Sequence, residues 1–245
     1  MPTIKKPFMI FEAGSGKVPI PLLRKSLKAT RKRKEIKFTG VDEKLNLDLL
    51  LRKTRLKTQP KNLRLVQNCA IKELLKIPKE SQHVIFGSYL VNNLGETSSC
   101  TVPQLPCNRA FFVAAERALR PGGRIILVQD KNSIPLMKEA GHNLGFDLHM
   151  IAISDERAKK SKSWAIRKRS TPEKRVEYLQ KHYPKKENIS RVIDSSRKYG
   201  INSLEELARP TIFILRRPRK TTRDTPQVKE IDLFNLLDQL FRERM

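Results

Sequence analysis

Short runs of consecutive apolar, β-prone residues alternate with longer stretches whose apolar residues recur every three or four places. Apolar runs without a polar alternation belong to strands buried on both faces. Their regular interleaving with helices is the pattern of a largely parallel sheet with helices on both sides. Seven strands are predicted: Phe8–Glu12, Ile36–Asp42, Leu63–Gln67, His83–Tyr89, Arg124–Asp130, Asp147–Ile153 and Thr211–Leu215. Helices are expected from about Pro19 to Ala29, where the prolines suit a first turn, and near Leu45–Thr58. Two more follow: Arg109–Leu119, stopped sharply by Pro121-Gly122-Gly123, and Ser133–Leu144, ended by Gly145.

Between the sixth and seventh strands, Ser154–Pro210 carries helical patterns near Pro172–His182, Asn188–Tyr199 and Ser203–Ala208. Val176, Tyr178, Leu179, Ile189, Val192, Ile193, Leu204 and Leu207 give this insertion apolar residues to bury, so it reads as a helical subdomain. After a polar stretch, Val228–Arg244 forms an amphipathic helix whose apolar face (Ile231, Leu233, Phe234, Leu236, Leu237, Leu240, Phe241) calls for this chain or a protein partner to cover it. The expected division is residues 1–153 with 211–217 as the sheet domain, 154–210 as a basic insertion that binds substrate, and 218–245 as a tail.

Charge changes the picture most. The 245 residues hold 51 Lys+Arg against 25 Asp+Glu, a formal +26. The excess sits at the two ends: residues 1–71 are net +13, residues 72–154 net +2 and residues 155–245 net +11. An excess of this size draws polyanions by releasing their counterions, and nucleic acid is the usual partner. The densest runs include Arg31-Lys32-Arg33-Lys34, Arg167-Lys168-Arg169 and Arg216–Lys220. Trp164 sits within a basic stretch, as a base-stacking platform flanked by phosphate-neutralising cations would, or as a core anchor of the insertion. No run approaches the roughly 20 apolar residues of a membrane span, so no membrane contact and a cytoplasmic or other intracellular place are expected. Three cysteines without a CxxC or Cys/His cluster argue against a disulfide scaffold and against a metal site.

The loop after the first strand, Glu12-Ala13-Gly14-Ser15-Gly16, lets the backbone turn tightly and approach a ligand. A phosphate-binding P-loop fails here, because the residue five before Gly16 is Phe11 and the residue after Lys17 is Val18. A dinucleotide fingerprint fails because the third glycine is replaced by Pro19. What remains is E-x-G-x-G after one strand and Val41-Asp42 ending the next, where a carboxylate can accept hydrogen bonds from two ribose hydroxyls.

These pieces, with LRLVQNCA at the third strand, HVIFGSYLVNN at the fourth and ALRPGGRIILVQD at the fifth, resemble the class I S-adenosylmethionine-dependent methyltransferases over about Phe8–Ile153 plus Thr211–Leu215. The resemblance implies an α/β, Rossmann-like seven-stranded sheet and S-adenosylmethionine as cofactor. It implies that Glu12, Gly14, Ser15 and Gly16 line the methionine part, that Asp42 holds the ribose, and that Asn68, Cys69 and Ala70 border the adenine. Ser88, Tyr89, Asn92 and Asn93 would face the methyl group and the substrate. The loop after the fourth strand is neither the N-P-P-[YF] of adenine-amine enzymes nor the Pro-Cys of cytosine-C5 enzymes, since Pro106-Cys107 falls well past it.

Combined with the charge, the expectation is a methyltransferase acting on ribosomal or transfer RNA. Arg31, Lys32, Arg33, Lys34, Trp164, Arg167, Lys168 and Arg169 would grip the polyanion. The rival is a catalytically silent, methyltransferase-like RNA-binding or assembly factor, motivated by Val18 in place of a further family glycine and Cys69 in place of an Asp.

Overall fold

The computed structural model describes residues 7–14, 36–46, 61–88, 107–161, 164–182 and 186–219. Among them lie strands β1 (Phe8–Ala13), β2 (Ile36–Asp42), β3 (Leu63–Gln67), β4 (Gln82–Ser88), β5 (Leu119–Asp130), β6 (Asp147–Ala152) and β7 (Pro210–Arg216). They form one seven-stranded sheet in the order β3-β2-β1-β4-β5-β7-β6. β1 pairs in parallel with β2 and β4, and β2 in parallel with β3. Gly122 N–H donates to Arg217 C=O and Arg217 N–H to Gly123 C=O, joining the start of β5 to the end of β7. Lys131 N–H reaches Arg209 C=O and Ile153 N–H reaches Pro210 C=O at the other end, so β7 runs against both neighbours. The seven predicted strands are all present, with β2 and β3 at the expected bounds.

The described helices are α1 (Ala70–Lys76), α2 (Cys107–Ala118), α3 (Ile134–Leu144), α4 (Asp155–Lys160), α5 (Trp164–Arg167), α6 (Pro172–His182), α7 (Lys186–Arg197) and α8 (Leu204–Leu207). α1, α4 and α5 are additions to the sequence reading. α1 and α5 are short, and α4 is signalled only by Ser154, whose hydroxyl accepts from Arg157 N–H at 3.4 Å. α7 begins two residues earlier than expected and stops at Arg197, where Tyr199 and Gly200 fold back through N–H bonds to Ser196 and Arg197 carbonyls. Gly200 takes φ +74° there, the left-handed conformation that closes a helix without steric cost. The helices expected near 19–29, 45–58 and 228–244 lie outside the described residues.

The Pro121-Gly122-Gly123 segment requires a correction. It does not terminate the preceding helix but lies inside β5, which starts at Leu119. α2 ends because the carbonyls of Arg117 and Ala118 accept from Glu80 and Ser81 N–H groups. Gly122 (φ +76°) then bends the strand, and a Cβ at Gly123 would stand 2.8 Å from the Arg120 carbonyl oxygen.

The described residues group into two compact units. One holds β1–β4, α1, α2, β5 as far as Leu127, Asn143–Asp147 and the chain from Ile214. Its core contains Phe11, Val41, Ile71, Leu74, Ile85, Phe111 and Ile125. Ala-rich α2 buries Ala110, Phe111, Phe112, Ala114, Ala115 and Ala118. Arg217, within the basic run Arg216–Lys220, is half-buried: it pairs with Glu116 at 2.9 Å and Glu80 at 3.2 Å and donates to the Leu119 carbonyl. The other unit holds Val128–His142 and Leu148–Phe213. It encloses charge as well as apolar side chains. Arg169 lies 3.1 Å from Asp130, both nearly inaccessible, and stacks 3.6 Å above the Tyr178 ring. Buried Arg175 grips Asp155 at 2.7 Å and donates to the Arg169 carbonyl at 3.2 Å.

Candidate cofactor site and similar structures

The site is built from strand ends. Registers place Glu12 beside Gly40 and Phe86, Ala13 beside Val41 and Gly87, and Asp42 beside Gln67. One step further along the same direction, Gly14, Asp42, Gln67 and Ser88 form a row across β4-β1-β2-β3, at the carboxyl ends of four parallel strands. With neighbouring strands about 4.8 Å apart, the row is about 14 Å long. In open α/β sheets this edge is where ligands bind.

Gly14 takes φ +69° and its N–H donates to the Val41 carbonyl at 2.9 Å, which turns the chain out of β1 directly beside β2. Glu12 is buried at 2% exposure just before that turn. Asp42 is half-buried at the tip of β2. Its Oδ1 accepts from Lys44 N–H at 2.7 Å, which fixes the side chain, and its carbonyl accepts from Leu45 and Asn68 N–H groups. Gln67 Nε2 donates to the Glu43 carbonyl at 3.3 Å. The ends of β2 and β3 are therefore stitched together.

Asn68 is more committed than a loop residue facing a ligand. Its Oδ1 accepts from Cys69 N–H at 2.8 Å, and its Nδ2 donates to Glu73 Oε1 at 2.6 Å. Glu73, on α1, also receives Lys76 at 2.6 Å and Arg64 at 3.2 Å. Burial pushes its carboxyl up, but the Lys76 and Asn68 hydrogen bonds and the Arg64 charge together hold it below the ordinary value. Gln67 and Glu73 were not singled out from the sequence. A polar residue ending β3 as Asp42 ends β2 was the available signal for Gln67. Nothing local distinguishes Glu73 from a solvated helix glutamate.

Cys69 and Ala70 are buried at the start of α1. Cys69 is disulfide-bonded, a single cross-link and not a disulfide scaffold. Ser88 closes β4, while Ser15, Gly16, Tyr89, Asn92 and Asn93 lie outside the described residues.

Strand order and an antiparallel seventh strand decide the architecture. The chain has the class I S-adenosylmethionine-dependent methyltransferase fold. Solved structures with this fold match it along most of its length. The Haemonchus contortus phosphoethanolamine N-methyltransferase 2, solved with phosphomonomethylethanolamine and S-adenosylhomocysteine, matches with a TM-score of 0.50 and 14% identity, over 89% of this chain and 51% of that one. The chain thus spans about half that enzyme's length. A complex of the Haloferax volcanii Trm112 methyltransferase activator with a methyltransferase matches with a TM-score of 0.50 and 11% identity, over 90% and 86%. No protein-family model and no curated protein matches the sequence.

On the methyltransferase fold, the basic residues expected to hold RNA separate. Arg167, the last residue of α5, and Lys168 just after it are exposed. Arg169 is a correction: at 5% exposure its guanidinium is spent on Asp130 and Tyr178, not presented at the surface. Trp164 lies in α5, and Arg31–Lys34 lie outside the described residues. Among the described residues no group of His, Cys, Asp and Glu could hold a metal ion, and no helix is long and apolar enough to cross a membrane.

Proposed function

We propose that this chain is an S-adenosylmethionine-dependent methyltransferase that acts on RNA, ribosomal or transfer RNA by expectation. The observation that carries the reading is the row Gly14, Asp42, Gln67 and Ser88 across four parallel strand ends, about as long as an extended nucleoside with an amino-acid arm. Gly14, with φ +69° and no side chain, would let the backbone approach a ligand closely. Asp42, whose Oδ1 is held by Lys44 N–H, would accept hydrogen bonds from ribose hydroxyls. Asn68, with its amide held by Glu73 and Cys69, would shape the adenine edge through the backbone of residues 68–70. These residues fit the cofactor.

The bound cofactor would supply an electrophilic methyl group on a sulfonium. The chain's task is then to align a nucleophile in line and exclude water, with Ser15, Gly16, Ser88, Tyr89, Asn92 and Asn93 as the proposed lining. The RNA reading rests on the +26 charge and on exposed Arg167 and Lys168, with Arg31–Lys34 and Trp164 proposed to join them. A catalytically silent RNA-binding factor is the second reading, favoured by Cys69, which is tied in a disulfide where the family carries an Asp. A protein partner at residues 228–244 is a further proposal, in keeping with the activator complex seen for the Haloferax structure.

Labelling total RNA and total protein extracts with tritiated S-adenosylmethionine tests the assignment. Label in RNA is expected. Label confined to protein overturns the substrate, and cofactor binding without transfer to either selects the silent factor.

A further inference from the structure

Tyr199 lies just past the end of α7, and two lysines from different elements converge on its ring. Lys138 Nζ, from α3, sits 4.8 Å from the ring centroid, and Lys198 Nζ sits 5.2 Å from it. Both lysines are exposed and the tyrosine is half-buried. The backbone that carries the ring is pinned: Tyr199 N–H donates to Ser196 C=O and Ile201 N–H to the same carbonyl, with Ser196 and Ile201 both buried. Beside it, Gly200 faces open space, since a Cβ there would meet nothing within 4 Å. The neighbouring carboxylate on α7, Asp194, is already paired with Arg197 at 3.3 Å.

Two ammonium groups around one ring lie within about 10 Å of each other and repel, and an anion between them relieves that repulsion. Exposed cation–ring contacts are weak, whereas stacking a nucleobase on an aromatic ring is worth more. A nucleotide can therefore displace an ammonium from the ring face, stack its base there and receive the displaced cation on its phosphate. We infer that Tyr199, Lys138 and Lys198 form a stacking-and-phosphate site for single-stranded RNA. The inference rests on the RNA reading above and extends it to residues which the sequence pattern had marked only as helix.

The test is fluorescence anisotropy of a labelled single-stranded oligoadenylate on the full chain, across a salt series, with heparin as a polyanion that has no bases. Tyr199→Leu is expected to weaken oligoadenylate binding about tenfold, with heparin binding unchanged and Tyr199→Phe close to wild type. Lys138→Gln and Lys198→Gln should each reduce the salt slope by about 0.7 for oligoadenylate. Melting curves establish that each variant is folded. If the wild type binds and folded Tyr199→Leu binds equally, or loses heparin to the same extent, the site is overturned while the RNA reading stands. If the wild type shows no salt-dependent RNA binding, both fall.

Discussion

Gly14 spends its conformational freedom at φ +69°, where an alanine costs about 1–2 kcal/mol. Gly14→Ala should lower the melting temperature and weaken S-adenosylhomocysteine binding. Asp42 differs, because it is half-buried and its best-defined bond is to a neighbouring backbone N–H. Asp42→Ala should abolish or sharply weaken S-adenosylhomocysteine binding in calorimetry with little loss of stability; unchanged affinity would refute its ribose role. His83 sets a pH response. Burial, with the Arg120 cation beside it, pushes its pKa from 6.5 down to about 4, while its Nδ1 accepts from Met9 N–H at 3.0 Å. The unfolded chain takes up a proton at this residue before the folded chain does. Its contribution to stability is thus full above pH 6.5 and is lost as pH falls toward 4. Urea titrations of wild type and His83→Gln over that window should show the acid loss flattened in the variant.

β5 shows how an element can keep its place while changing its punctuation. Pro-Gly-Gly after a helix reads as a stop, and the helix does stop before it, but the glycines are then taken up by the strand. A side chain at Gly123 meets backbone 2.8 Å away, which cannot move without breaking the strand. Gly123→Ala should cost about 1–3 kcal/mol, measured by chemical denaturation, and a near-neutral result would remove the packing argument. α5 and α6 are joined to the end of β5 through Arg169. Burial raises the Asp130 carboxyl from 3.8 to about 7 against the pull of the Arg169 guanidinium. Folding therefore holds a proton that the unfolded chain has released, and this group's contribution falls as pH rises from about 4 through 7. Arg169→Met leaves a buried carboxyl without its cation. It should destabilise by about 3–5 kcal/mol at pH 8, where Asp130 is ionised, and by clearly less at pH 6. An equal loss at both pH values would show that the ion pair carries none of the effect.

For the molecule as a whole, the charge of +26 does not decide which cations reach the surface. Arg167→Gln with Lys168→Gln should weaken RNA binding and its salt dependence while leaving S-adenosylhomocysteine affinity intact. The strands were legible because unbroken apolar runs such as Phe8–Phe11 and Ile125–Val128 leave a chain few alternatives to a doubly covered sheet. Gly14 as a turn glycine and Asp42 as the end of β2 were legible because each position is set by its own stretch of backbone. Glu73 was not, since its role comes from Asn68, Arg64 and Lys76 arriving from other elements. Amino-acid order was thus enough for the alternation of strand and helix, the glycine turn and the excess of cations, which depend on local sterics and composition. Whether a given cation meets solvent or a buried carboxylate, as Arg167 and Arg169 do two residues apart, depends on which distant groups share its surroundings, and that was settled only when the chain closed on itself.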